Sequence, residues 1–279
     1  MEFTNRELKV WNEIIEWQEN LYQYEPTDIA ALYDKWLEQG FSLLPENVQQ
    51  QFFEKLDTWL FHLHAMVQSS QIQIDARERI LASARVFNEE IEMLGDLNLL
   101  SIDQLNYIAN QHIAKHRLYS FAQGGMSGSG GRLLLGSDLP AMTVINIRTV
   151  QLVAMSYGFE VNTPFEMMVA LKVFNAGAMP KRLQGIAWEE LIHEIETAED
   201  DYFYLGIEEL TNPTWMEQPL KQLLKALSIT VFRKKLVRGI PFISIAIGAG
   251  ANYQMTRSVS EFAQKFYQYR FLREKKADD

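Results

Sequence analysis

The chain has 279 residues, of which 47% are hydrophobic, and a formal net charge of −10. This hydrophobic share is typical of a folded protein with a substantial core and too high for a disordered chain. The acidic balance disfavours nucleic acid as a partner, because phosphates repel an acidic surface. The sequence contains no cysteine, which excludes disulfides, thiol catalysis and cysteine zinc sites and is typical of a reducing compartment.

The hydropathy pattern bears on localisation. The N-terminal segment alternates charged and apolar residues, so we expect no secretory signal. No stretch has the roughly 18 apolar residues that indicate a transmembrane helix. The sequence therefore predicts a cytoplasmic protein and leaves open a peripheral contact at the inner face of the cell membrane.

Helix signals dominate the N-terminal half. Thr4 and Glu7 have the spacing of a capping box, in which each side chain satisfies a free backbone N–H at a helix start. Ser101 and Gln104 repeat that spacing and predict a helix that runs through Tyr119. Capping residues, prolines and terminal glycines predict the other helices of this half, over residues 5–25, 27–40, 45–67 and 75–94.

The sequence GGMSGSGG at residues 124–131 is the one low-complexity stretch. We predict a Gly-rich connector over residues 124–137, between an N-terminal helical part (1–123) and a C-terminal helical part (138–279) that can also form one continuous domain. Asp138 is expected to cap the next helix. The backbone N–H groups of a mobile loop can contact a ligand, which makes Gly128, Gly130 and Gly131 candidate contact residues.

The same stretch matches none of the standard glycine-containing motifs for nucleotide binding or nucleophilic catalysis. A dinucleotide-binding fingerprint that starts at Gly128 would need glycine where Leu133 stands. A P-loop needs a lysine that is absent, and a nucleophile elbow around Ser127 would need glycine in place of Ser129.

The C-terminal half is also predicted to be helical. Thr163, Pro164 and Glu166 form the clearest helix start in the chain, and Gly177 is expected to end that helix. Other helices are predicted over residues 138–157, 180–205, 217–238 and 241–276. No run alternates as strands do. We therefore predict an all-α fold, a compact multi-helix assembly of about eight to ten helices, in one or two packed lobes.

The histidines supply the candidates for an enzyme. His112 and His116 lie four apart on one predicted helix face, but Ile113 stands where a zinc protease needs glutamate. Glu190-x-x-His193 matches half of a di-iron site, and no second copy exists. We expect satisfied or surface histidines, no catalytic residue, no metal and no cofactor. A metal-dependent hydrolase built on His112, His116, Glu190 and His193 is the alternative.

The C-terminal third contains a basic stretch, FRKKLVR, followed directly by the apolar stretch IPFISIAIGAGA. Small residues four apart in the apolar stretch allow close helix packing, so a buried core helix is one interpretation. The other is contact with anionic lipid headgroups or a membrane protein. The residues predicted to make that contact are Arg233, Lys234, Lys235 and Arg238. The Met- and Phe-rich helices leave a third alternative, a carrier of lipid or a small apolar ligand.

Several of these features together resemble the EcsC family. The resemblance rests on GGMSGSGG, the SDLP sequence at residues 137–140, Arg148, the Tyr157-Gly158 pair, and the segment from Ile240 to Arg270 with its Asn252, Arg257, Ala263 and Tyr267. It covers roughly residues 101–275.

The resemblance implies an all-helical protein and no established reaction. The family is named for a bacterial gene neighbourhood that encodes an ABC exporter, which implies an accessory or interaction role near a membrane transporter. On the same basis, Arg148, Asn252 and Arg257 join Asp138 and the glycines as candidate loop or ligand contacts. The sequence leaves the oligomeric state open.

Overall fold

The computed structural model describes residues 3–26, 58, 60–129, 132–198 and 241–277; within these ranges the chain is helical and has no strand. The predicted all-α fold is confirmed for this part of the chain. The α-helices described are α1 (Asn5–Tyr22), α2 (Gln71–Arg85), α3 (Ile102–Ser129), α4 (Arg132–Ser156), α5 (Pro164–Ala178), α6 (Lys181–Thr197) and α7 (Pro241–Ala277). Residues 60–68 are also helical, and Leu94–Leu99 form a 3₁₀ helix.

Three predicted helix starts are confirmed by their caps. The Thr4 N–H donates to Glu7 Oε2 at 2.9 Å, and the Glu7 N–H donates to Thr4 Oγ1 at 3.2 Å. The Ser101 N–H donates to Gln104 Oε1 at 2.8 Å, and the hydroxyl of Thr163 accepts from the N–H three residues ahead at 3.2 Å. Each cap satisfies a backbone donor that the helix itself leaves without a partner.

The Gly-rich stretch differs from the sequence prediction. Helix α3 does not end near Tyr119 but continues to Ser129, and α4 already begins at Arg132. Asp138 therefore lies inside α4 and does not cap it. Glycine costs about 1 kcal/mol per residue in a helix; here α3 packs along both α4 and α7, and tertiary packing outweighs local propensity.

Other parts of the sequence prediction fare unevenly. The helix expected over residues 75–94 starts earlier and ends earlier than predicted. Helix α2 begins after the N-cap Ser70 and ends at Arg85. Its expected C-terminal part forms turns and the 3₁₀ helix, which buries Leu94 and Leu97. The helices expected over residues 27–40 and 217–238, and the first part of 45–67, lie outside the described residues.

The core is built around three helices that all contact one another: α3, α4 and α7. Helix α5 packs on α4 and α7, α2 packs on α3 and α4, and α1 and α6 cover α7 from the other side. Trp188 of α6 is buried at the centre of that cover, with its ring edge-on to Trp17 at 5.1 Å and to Phe262 at 5.7 Å. Helix α7 thus contacts α1, α3, α4 and α5, and its Phe262 packs against Trp188 of α6.

The crossing of α5 and α7 depends on Gly177. A Cβ atom at this position would lie 2.8 Å from Val259 Cα and 3.2 Å from Phe262 Cβ. Both are atoms near the backbone of α7, so neither can move aside cheaply. The predicted helix end at Gly177 agrees to within one residue with the observed end of α5 at Ala178, and the glycine also permits close packing.

Gly177→Ala should lower the free energy of unfolding by about 1–3 kcal/mol, because the added methyl group overpacks the crossing. Gly250→Ala is the matched control, since a Cβ there meets nothing within 4 Å and should raise helix stability by up to about 1 kcal/mol. Urea denaturation of both variants checks this. Equal effects would contradict the close-packing argument.

A buried ion pair ties α7 to the start of α5. The Arg270 guanidinium donates two hydrogen bonds of 2.9 Å to the Glu166 carboxylate and lies 4.1 Å from the centre of the Phe159 ring. Only 8% of the Arg270 side chain is exposed. Removal of one partner would leave the other charge buried without compensation.

Arg270→Gln should therefore lower the free energy of unfolding by about 3–5 kcal/mol. Arg6→Gln, which breaks an exposed ion pair with Asp103, should have a much smaller effect, because water screens the pair. Thermal and urea unfolding measure both. The double variant Arg270→Met, Glu166→Met should be more stable than Arg270→Gln, and a lower stability would contradict the uncompensated-charge explanation.

Candidate functional site

A row of polar side chains runs along the contact between α3 and α7. On α7 these side chains recur every fourth residue, so they form one face of the helix. Their hydrogen bonds to α3 are Asn252 Nδ2 to Gln123 Oε1 (2.7 Å), Thr256 Oγ1 to Ser120 Oγ (2.7 Å), Arg117 Nε to Ser260 Oγ (2.9 Å), Gln264 Nε2 to Asn110 Oδ1 (3.2 Å) and Gln268 Nε2 to Asn106 Oδ1 (2.7 Å). We call this row the polar seam.

The polar seam fixes an antiparallel register, in which the C-terminal end of α3 lies beside the N-terminal end of α7. Helix α4 is aligned with them by His116, whose Nδ1 lies 3.0 Å from Thr149 Oγ1. Three helix ends therefore meet at one end of the core. We call this region the bundle tip: residues 118–129 of α3, 132–147 of α4 and 241–256 of α7.

The bundle tip is nearly free of charge. Residues 118–129 and 241–256 contain no charged side chain, and 132–147 contain only Arg132 and Asp138, which have opposite signs. At a helical rise of 1.5 Å per residue, these stretches of α3 and α7 are about 18 Å and 24 Å long. The tip thus joins long uncharged stretches that are far apart in the sequence.

Large apolar side chains are exposed where the tip begins. Leu118 is 64% exposed, Phe121 50% and Met126 63%. The ring of Phe121 lies edge-on to that of Tyr253 from α7, with 6.4 Å between ring centroids. Exposed apolar groups that cluster in this way are typical of a contact surface for a membrane or another protein.

Three arginines border the bundle tip, one on each helix: Arg117, Arg148 and Arg257. We call them the arginine belt. Arg117 bonds to Ser260 in the polar seam and donates to the backbone oxygen of Arg257 at 3.5 Å. Burial lowers the pKa of Arg117. The carboxylate of Glu261, one turn after Arg257 on α7, favours the charged guanidinium and raises that pKa. The belt therefore places positive charge between the uncharged tip and the charged body.

A second basic group lies beside the belt, on the face between α2, α3 and α4. Its members are Arg79, His112, Lys115, His116 and Arg148, and we call them the imidazole cluster. Burial, with added repulsion from Lys115, Arg79 and Arg148, lowers the pKa of His112 to about 4. Burial and the nearby Arg148 lower the pKa of His116 to about 4 as well. Both imidazoles are therefore neutral at pH 7.

The hydrogen bonds of His116 determine its tautomer. The Thr149 hydroxyl donates to the backbone oxygen of Ile145 at 2.7 Å, so it acts as an acceptor towards the His116 ring. The ring hydrogen therefore lies on Nδ1, and Nε2 keeps a lone pair. Nε2 can accept a proton when a negative group approaches.

The structure does not bring the candidate metal ligands together. Among the residues that the structure describes, no three His, Asp or Glu side chains lie close enough to share a metal ion. Three cations act electrostatically on His112 and two of them also on His116, while Glu190 and His193 are exposed on α6. The hydrolase alternative gains no support from this part of the chain.

The structure brings some of the predicted contact residues together and leaves others untested. Arg148, Asn252 and Arg257 lie at the tip end of the three core helices, with Asn252 buried in the polar seam. Gly128 and Asp138 lie in the helical backbone of the tip. Six predicted contact residues lie outside the described ranges: Gly130, Gly131, Arg233, Lys234, Lys235 and Arg238.

Sequence reasoning missed Lys115, Arg117 and the exposed side chains of the tip. The signal was present as two uncharged runs, residues 118–131 and 239–256, each bordered by arginine. What the sequence did not show is that the described parts of these runs, residues 118–129 and 241–256, lie side by side.

The family model described as the EcsC protein family matches residues 8–272. The chain belongs to the EcsC family. Two proteins of Bacillus subtilis strain 168 are similar to it. "Uncharacterized protein YdbA" is 23% identical over 84% of this chain and 81% of its own length. "Protein EcsC" is 24% identical over 64% of this chain and 69% of its own length.

No solved structure matches the chain. None of the described helices has both the length and the apolar character that are needed to cross a membrane.

The neutral buried histidines predict a pH dependence of stability. Burial also lowers the pKa of His64 to about 4. The unfolded chain takes up protons below a pH of about 6.5, whereas the folded histidines resist protonation until a pH of about 4. The free energy of unfolding should therefore fall as the pH drops from 7 to 5, by about 1–2 kcal/mol for each fully buried imidazole.

Urea denaturation at pH 7, 6 and 5 measures this slope. His116→Gln keeps a hydrogen-bonding side chain but cannot titrate, so its slope should be shallower than that of the parent protein. Parallel slopes for the parent protein and His116→Gln would show that His116 is not responsible.

Proposed function

We propose that this protein is a non-enzymatic accessory or interaction protein that binds the cytoplasmic membrane surface through its bundle tip. The observation that supports this most directly is the alignment of three helix ends, two of them uncharged and the third with only Arg132 and Asp138, behind the arginine belt. The tip would enter the outer part of the lipid layer, and the belt would contact anionic headgroups.

The dimensions and the charges agree with this proposal. One leaflet contributes about half of the roughly 30 Å hydrocarbon thickness of a bilayer, and the uncharged stretches are about 18–24 Å long. Each basic residue near an anionic surface adds about 1 kcal/mol of attraction. Tyr119, Phe121 and Tyr253 lie close to the belt, and aromatic side chains favour this interfacial depth.

The polar seam lowers the desolvation cost of insertion for the polar side chains that are buried inside the tip. Asn252 and Thr256 are buried between helices and hydrogen-bonded to α3, so they need no water. A helix pair whose polar groups are already satisfied can enter an apolar medium without an added desolvation cost.

The proposed partner is anionic lipid or a membrane protein. In sequence, Arg233, Lys234, Lys235 and Arg238 precede α7 directly, and we expect them to add positive charge for anionic lipid or for a membrane protein. The family resemblance suggests an ABC transporter as that membrane protein.

The pocket between α5 and α6 does not favour the alternative of a lipid carrier. Its volume is about 70 Å³, and its lining includes Lys172, Glu190 and Glu194. Pockets that enclose drug-sized ligands are usually about 300–1,000 Å³ and mostly apolar.

Leu118→Glu should reduce binding to vesicles that contain phosphatidylglycerol by about tenfold or more, because a carboxylate would have to enter the headgroup or acyl region. Leu99→Glu is the matched control: Leu99 is 59% exposed, against 64% for Leu118, but lies in the 3₁₀ helix outside the tip. Co-sedimentation with anionic and neutral vesicles measures both. Equal losses for the two variants would contradict binding through the tip.

The absence of cysteine allows a depth measurement without any background substitution. Met126→Cys and Leu99→Cys can each be labelled with an environment-sensitive fluorophore. Anionic vesicles should shift the emission of the Met126 label to the blue and leave the Leu99 label unchanged. An unshifted Met126 label on sedimented protein would contradict insertion of the tip into the lipid layer. The protein would then bind the vesicles through another surface.

A further inference from the structure

We propose that the end of the core opposite the bundle tip binds a basic amphipathic helix of another protein. The surface that carries this proposal combines exposed apolar side chains with acidic ones between them, and we call it the far-end patch. Its apolar members are Val86, Phe87, Met93, Leu99 and Tyr107, and its acidic members are Glu89, Glu90, Glu92 and Asp96. The inference goes beyond the proposed membrane function and does not rest on it.

The apolar members of the far-end patch are exposed to an extent that calls for a partner. Val86 is 81% exposed, Met93 56% and Tyr107 57%. The rings of Phe87 and Tyr107 lie edge-on, with 6.0 Å between their centroids, so this pair joins the segment after α2 to the start of α3. Single exposed apolar side chains are common, but a group of them within residues 86–107 is typical of an interaction surface.

The 3₁₀ helix sets the spacing of the apolar groups. A 3₁₀ helix has three residues per turn, so every third residue lies on the same side. One side consists of buried leucines, at positions 94, 97 and 100. Met93 and Leu99 lie on an exposed side, two turns and about 12 Å apart. An α-helix places apolar side chains at i and i+7 about 10.5 Å apart, so two turns of a partner helix match this spacing.

The backbone beneath the far-end patch is held in place by hydrogen bonds. Asp96 Oδ2 accepts from the N–H of Glu92 at 2.9 Å and from the N–H of Met93 at 2.8 Å. Arg85 Nε donates to the backbone oxygen of Ile91 at 2.8 Å, and the Ile91 side chain is buried in the core. A surface that is already ordered loses little conformational entropy when a partner binds.

The charge of the far-end patch selects a basic partner. Residues 86–107 contain five acidic side chains and no basic one. Asp103 is neutralised by its ion pair with Arg6, whereas the three glutamates of the patch are exposed and form no ion pair within the described part of the chain. Arg85, directly before this stretch, offsets one of these charges. The remaining negative charge attracts a basic segment and repels anionic lipid and nucleic acid.

The position of the far-end patch leaves it accessible when the tip is occupied. Helix α3 runs from Ile102, beside the patch, to Ser129 in the bundle tip, a length of about 42 Å. A ligand at one end of α3 therefore does not cover the other end. A protein whose tip contacts lipid would still present this patch to a basic helix from the opposite side.

The first experiment measures binding of a designed probe to the full chain without vesicles. The probe is a fluorescent peptide of about 18 residues, or five helical turns, with leucines at helical spacing among lysines. One comparison peptide has glutamate in place of lysine, and another has the leucines and lysines in scrambled order. Fluorescence anisotropy should show binding of the probe at least about tenfold tighter than that of either comparison peptide. Equal affinity for the scrambled peptide, or no binding of the probe, would overturn the inference.

Paired variants locate the binding surface. Met93→Ala should weaken binding of the probe about tenfold, as expected for the loss of a side chain that the partner buries. Met66→Ala is the matched control, because Met66 is 55% exposed but precedes the opposite end of α2, and it should leave the affinity unchanged. Equal effects of the two substitutions would overturn the location.

The contribution of charge is tested in the same way. Glu90→Lys should also weaken binding of the probe about tenfold, because it places a cation where the partner is basic. Glu19→Lys makes the same change at an exposed position on α1, about 20 Å along that helix from Arg6, and should have no effect. Equal losses would mean that the probe responds only to the net charge and would overturn the patch as its site.

Two further measurements test the other possible occupants. Sedimentation velocity of the full chain alone should show no association through the patch, whereas a dimer that Met93→Ala abolishes would assign the patch to a second copy and overturn the inference. Vesicle binding that Met93→Ala abolishes would assign it to lipid and overturn the inference as well. Failure of the probe to bind leaves the membrane proposal intact, and failure to bind vesicles leaves this inference intact.

Discussion

The antiparallel polar seam between α3 and α7 is the interaction on which the rest of the structure depends. Its hydrogen bonds extend from Asn106–Gln268 at one end to Gln123–Asn252 at the other. Apolar packing alone tolerates a shift of one helical turn, but such a shift would leave buried polar groups unsatisfied, at a cost of about 1–3 kcal/mol each. The seam therefore specifies a single register for two long helices that are distant in the sequence.

That register decides where the charges lie. It brings Arg117 to the level of Arg257, and the bond from His116 to Thr149 sets Arg148 beside them. The same alignment collects the uncharged stretches of α3 and α7 and the charge-poor start of α4 at one end. The arginine belt, the bundle tip and the imidazole cluster are thus consequences of one packing arrangement. An acidic protein obtains a localised basic, apolar surface in this way, despite its net charge of −10.

Local signals predicted most helix starts and several helix ends, but they did not predict the end of α3. The capping boxes at Thr4 and Ser101 form as expected, because each depends on residues three positions apart. The Gly-rich stretch was predicted as a connector, yet α3 continues through it to Ser129. Glycine content indicates a break when a helix stands alone. In this protein α4 and α7 pack along α3, and their contacts outweigh a propensity of about 1 kcal/mol per glycine.

The sequence by itself determined the all-helical class, the positions of most helix starts, the long C-terminal helix and the family resemblance. These properties follow from periodicity and capping, which act over a few residues. Only the tertiary structure decided that His112 and His116 are neutral beside Arg148, and that two uncharged runs lie together at one end. Burial and the approach of helices separated by more than 100 residues produce both results, and neither is a property of any local segment.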